Sequence, residues 1–182
     1  MKLYCPEQSK ERLSEYIKLL EHMVAEHLKQ GVEAKDSGAM SSDRNFPVEK
    51  GIVPLVSAIN ELLVFQSYWS CEGHIRNGEL LRTPQVWFYS NSMIYVKLLY
   101  YYLSRLKAQK VITHYWDIRI IHTDKLWDSG FCIEPDVKRI GSLNLRVLQE
   151  DACNIAFHLV CDVIRIAKEY IFKLKAEEIY SI

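Results

Sequence analysis

The chain has 182 residues, 49% of them hydrophobic and 25% charged, with 23 Lys and Arg balanced by 23 Asp and Glu. That size and apolar content can close one core without disulfides or metals, and zero net charge supplies no global field for nucleic acid or anionic lipid. Five scattered cysteines (Cys5, Cys71, Cys132, Cys153 and Cys161) lack framework spacing, and Met1 to Pro6 lacks the apolar stretch of a signal peptide. Together these features read as a reduced, cytoplasmic protein with free thiols.

Residues 7–30 have the pattern of an amphipathic helix. Leu13, Tyr16, Ile17, Leu20, Val24 and Leu28 recur at three and four, with Pro6 before the first turn and Gly31 at the stop. Residues 32–50 have no period and are rich in small and polar side chains, the signature of a flexible loop or lid. Residues 52–65 return to a helical stripe of Leu55, Ala58, Ile59, Leu62 and Leu63, with Pro54 suited to the first turn. Gln66–Cys71 is short and aromatic, as a strand should be. Residues 75–83 read as a polar loop carrying the turn dipeptide Asn77-Gly78. Pro84–Ser90 is a second strand by its β-branched and aromatic content. Residues 92–109 are a helix.

The clearest period of two lies in residues 111–122, where Asp117 and Arg119 share one face and Trp116, Ile118 and Ile120 the other. Phe131–Glu134 is its short partner, ended by Pro135. Residues 142–178 are helical for up to about 36 residues, roughly 54 Å at 1.5 Å per residue. A break, or a helix that reaches into a partner, is expected there. Its polar stripe is Asp151, Asn154, His158, Asp162, Arg165 and Glu169; the broad apolar remainder suggests a homodimer seam. The stretch most like a membrane span, 93–106, is interrupted by Lys97 and Ser104 and falls short of the ~20 apolar residues needed, so no membrane association is expected. Three or four short strands among four helices give a single α+β domain over residues 1–182.

Chemistry concentrates in Ser70-Cys71-Glu72-Gly73-His74. Thiol and imidazole are the side chains that serve most readily as nucleophile, base or soft-metal ligand near neutral pH, and a glycine turn between them can aim both at one volume. Cys71 and His74 are the catalytic candidates. Ser70, Glu72, Gly73, Trp69, Trp87 and His122 are the candidate ligand-binding residues, the two tryptophans as walls. The Cys-x-x-His spacing also suits two zinc ligands. Further ligands would come from Cys132 and Glu134 and from one of His114 or His122, which eight strand residues hold about 26 Å apart. The sequence completes no such set, so no metal ligands are assigned. It also holds no glycine-rich dinucleotide fingerprint, phosphate-loop Gly-Lys-Ser/Thr, His-Glu-x-x-His or Gly-x-Ser-x-Gly.

The block from Ile52 to Ser90 resembles small bacterial and phage proteins that carry Ser-Cys-x-Gly-His before a strand ending in aromatic residues. It is similar, more faintly, to the family of tRNA wybutosine-synthesising methyltransferases, through Ile59-Asn60, Ser70, Cys71 and Gly73. Trp69, Glu72 and His74 stand where that family has Ser, Ser and Arg, and Ser129-Gly130-Phe131 echoes a later segment. This second resemblance implies an α+β fold, S-adenosylmethionine as cofactor and an RNA substrate, whereas the net charge speaks against nucleic acid. Three functions are thus carried forward. The leading one is a small-molecule or catalytic site at Cys71 and His74, with zinc or S-adenosylmethionine as the open cofactors. The others are an interaction protein dimerising through its C-terminal helix and an RNA-modifying methyltransferase.

Overall fold

A computed structural model describes residues 14–15, 17–25, 47–62, 64–90, 92–123, 129–139 and 144–180. Helix α1 covers residues 17–25. Ile17, Leu20, Met23 and Val24 are buried along its one apolar stripe, as the spacing predicts. Most of the expected loop, residues 32–46, lies outside the described residues.

Helix α2 (Val53–Glu61) has Pro54 in its first turn and buries Leu55, Val56, Ala58 and Ile59. It stops short of the predicted residue 65 because the chain turns directly into strand β1 (Gln66–Cys71). Asn60 clamps that turn. Its Nδ2 donates to Ser67 Oγ and its Oδ1 accepts from the Ser67 amide, both at 2.8 Å.

Residues 75–83 are not a loop. They form most of a hairpin, β2 (His74–Arg76) and β3 (Glu79–Arg82), inserted before β4 (Gln85–Ser90). Asn77 and Gly78 both have positive φ, 54° and 81°, the two left-handed residues that a tight type I′ turn requires. Every residue of β2 is exposed and β3 nearly so, which is why no alternation marked the strands in the sequence.

Ser92 caps helix α3 (Met93–Ala108) by accepting the Ile94 amide. Strands β5 (Trp116–Thr123) and β6 (Ser129–Pro135) follow. β5 begins later than the predicted 111 because Asp151 captures the backbone before it. The Asp151 carboxylate accepts the Thr113 and His114 amides at 2.6 and 2.9 Å and meets His114 Nδ1 at 2.8 Å. Asp151 is therefore only 1% exposed, not a member of a solvated stripe. Helix α4 (Leu145–Tyr180) runs unbroken for 36 residues; with neither Gly nor Pro in that span, nothing interrupts its hydrogen-bond ladder.

Strands β1, β4, β6 and β5, in that order, make one antiparallel sheet. Side chains of paired residues share a face. One face carries the core: Val86, Phe88, Phe131 and Ile133 are at most 1% exposed, with Phe65 edge-on to Phe88. The other carries the row Trp69, Trp87, Cys132, Arg119 and stays half-open at Trp69 and Trp87. This is the α+β arrangement expected.

The chain divides into two compact units, residues 35–161 and residues 1–34 with 162–182. The sheet, α2, α3 and the start of α4 belong to the first. Within the second, Lys175 Nζ pairs with Glu21 Oε1 at 2.7 Å, and Arg165 bridges Asp162 and Glu169 along α4. No helix among the described residues is long and apolar enough to cross a membrane.

Candidate functional site

Gly73 makes the site possible. β1 ends at Cys71 and β2 starts at His74, so only two residues turn the chain. Gly73 does this at φ +88°, where an added Cβ would collide with the Leu145 side chain and lie 3.0 Å from Pro84. Its amide in turn donates to Cys71 Sγ at 3.4 Å.

Glu72 faces away and acts as a latch. Its amide donates to Glu49 Oε2 at 2.8 Å, its Oε2 accepts the Gly51 amide at 2.7 Å, and its carbonyl accepts Gln149 Nε2 at 3.0 Å. These bonds tie the turn to the segment before α2 and to the first turns of α4. They also explain Gly51, where a Cβ would sit 2.7 Å from Glu72 Oε2.

The latch delivers Glu49. Its Oε1 pairs with His74 Nε2 at 3.1 Å, with the side chains 37% and 45% exposed respectively. One ligand atom each from Glu49, Cys71 and His74 lies within 4.8 Å of the other two, and no other such group occurs among the described residues. Cys71 is 2% exposed. Burial, more than any neighbour, pushes its thiol above the ordinary range; the Glu49 charge adds to this, while the Gly73 amide and Arg82 oppose it. Without a bound cation the thiol is thus protonated at neutral pH, a poor state for a nucleophile.

Aromatic rings flank the site on the same sheet face. Trp69 and Trp87 have centroids 4.7 Å apart, and the Arg82 guanidinium lies 5.4 Å over Trp69. A bulge between Ser67 and Trp69 adds Tyr68, stacked on Tyr89 at 4.2 Å. Gln85 Oε1 accepts from both Trp87 Nε1 at 2.9 Å and Cys132 Sγ at 3.6 Å.

Of the residues singled out from sequence, Cys71, Gly73, His74, Trp69 and Trp87 come together here, whereas Glu72 sits in the turn with its carboxylate directed away, onto Gly51. Ser70 does not join them, because it shares the row of Val86, Ile133 and Ile118 on the opposite face. His122 stands opposite Gly130, which is in line with Tyr89 and Gln66, at the far end of the sheet from Cys71 and on its other edge; its side chain lies outside what is described. Cys132 is engaged with Gln85, Glu134 with Arg119 at 2.9 Å, and His114 with Asp151. None of them joins Cys71 and His74. Sequence reasoning missed Glu49, Gly51 and Arg82. Glu49 lies near the end of a stretch without period, so the one available signal was a carboxylate two residues before a glycine, just ahead of a Pro-started helix.

Comparison with protein-family models, with curated proteins and with solved structures finds no match to this chain. The likeness to the wybutosine methyltransferases therefore rests on its few shared residues. Two of these, Asn60 and Gly73, have structural work in the clamp and the turn.

Proposed function

We propose that the chain is a ligand-binding domain whose site is centred on Cys71, His74 and Glu49, with Trp69, Trp87 and Arg82 at its edge. One observation carries this reading: the thiol and imidazole that flank one tight turn meet a carboxylate brought from more than twenty residues away, and the Glu72 amide at that turn holds the carboxylate in place. Structural turns need a glycine and a cap; they do not need a buried thiol facing an imidazole and a carboxylate. The protonated thiol favours binding over covalent catalysis by free Cys71. Half-open indole rings beside a guanidinium suit a small planar molecule with an anionic group.

The test is amide and indole NMR of the labelled protein, titrated with planar carboxylates such as benzoate and nicotinate. Shifts gathered on the Trp69 and Trp87 indoles and the Gly73 amide are expected, and Arg82→Ala should weaken them. Absence of any shift at these groups up to millimolar fragment contradicts the reading.

A further inference from the structure

We propose that Glu49, Cys71 and His74 bind a zinc-class divalent cation through one carboxylate, one thiolate and one imidazole, leaving a fourth position for an exogenous ligand. The inference rests on the ligand-site reading above and names what organises that site.

The donor set is the first argument. One sulfur, one imidazole nitrogen and one carboxylate oxygen are the mixed soft and borderline ligands that select zinc over magnesium or calcium. With Cys71 as thiolate and Glu49 ionised, two negative charges meet a doubly positive ion across a neutral imidazole.

Geometry is the second. The three donor atoms already lie within 4.8 Å of one another. Zinc–ligand bonds of about 2.0–2.3 Å in a tetrahedral set require only a small inward movement of the two half-exposed side chains. Cys71 needs none, being fixed at a strand end with Gly73 behind it.

The third argument is the surrounding support. Metal ligands are typically oriented by outer partners, and here the Glu72 amide holds the second Glu49 oxygen at 2.8 Å, leaving Oε1 directed at His74. The Glu72 carboxylate, which would crowd the site, is turned onto Gly51. Three protein ligands with an exposed imidazole edge match an open rather than a closed zinc site. Arg82 is a cation that opposes this: it reaches the Cys71 thiol. It is an exposed side chain on a long flexible stem, able to withdraw or to meet an anionic fourth ligand.

Cobalt(II) titration of the full chain, made metal-free with a chelator, tests this. One equivalent should produce the visible bands of four-coordinate cobalt together with a thiolate-to-cobalt charge-transfer band in the near ultraviolet, and one equivalent of zinc should abolish both. Cys71→Ser should remove the charge-transfer band. His74→Ala and Glu49→Gln should each weaken binding by more than about 100-fold, beyond the loss expected for an outer partner, whereas Cys153→Ser, an exposed thiol elsewhere, should change nothing. If Cys71→Ser fails to fold, the two exposed-residue variants decide. Weak, six-coordinate spectra indifferent to these substitutions overturn the metal proposal. Fragment shifts at the tryptophans that persist in the metal-free protein would leave the ligand reading standing after such a failure; their loss would remove both.

Discussion

Cys71 and His74 were legible because their types are rare and a glycine stood between them. Glu49 was not, since nothing local distinguishes a carboxylate that will fold back across some twenty residues from one in solvent. The glycine itself makes a sharp prediction. Gly73→Ala forces a Cβ into Leu145 and Pro84 at positive φ and should destabilise the chain by about 1–3 kcal/mol, seen as a lower urea midpoint; an unchanged midpoint would refute the strained turn. Cys132 gives a prediction in pH. Burial first, then the Glu134 charge, push its thiol from 9.0 to about 12. Between those values the unfolded chain releases a proton that the folded chain keeps, so stability falls as pH rises. By pH 11 the Cys132 share of that loss should be roughly 2–3 kcal/mol. In Cys132→Ala, denaturation between pH 8 and 11 should show a correspondingly shallower decline; parallel curves for the two proteins would exclude this linkage.

Helices α2 and α3 could be read from the spacing of their apolar residues, and strands β1 and β4 from their aromatic and β-branched content, because each buries one face. The β2–β3 hairpin could not: its side chains are exposed on both faces, leaving only Asn77-Gly78 as a trace. The start of β5 was obscured for a different reason. An extended pattern at 111–115 satisfies both a strand and a backbone wrapped around a carboxylate, and the distant Asp151 decides between them. Asp151 falls in the polar stripe of its helix with Asn154 and His158, yet it accepts three hydrogen bonds in a nearly closed position. Asp151→Ala should therefore cost about 2–4 kcal/mol through unpaired amides, with Asp151→Asn intermediate. A substitution that leaves thermal stability unchanged would show that the 111–115 segment does not depend on this carboxylate.

The α+β arrangement gives the antiparallel sheet one face that carries the core and one that stays half-open, and the site stands at one end of the open face. That placement follows from register. Cys71 falls opposite Gln85, beside the indole row, while Ser70 one step back lies half-buried on the other face. A shift of one residue in the β1–β4 pairing would exchange them, so the bulge at Tyr68 and the Asn60 clamp on Ser67 bear directly on what Cys71 faces. Length and apolar content indicated the size of the core but not the division into two units, one boundary of which falls within the span of α4. Convergence of Glu49, Cys71 and His74 is the claim on which the functional reading depends, and X-ray absorption at the zinc edge of the one-to-one zinc complex tests it most directly. The expected shell has one sulfur at about 2.3 Å and nitrogen and oxygen ligands at about 2.0–2.2 Å, with the sulfur lost in Cys71→Ser. A shell of nitrogen and oxygen alone in the wild-type protein would contradict it.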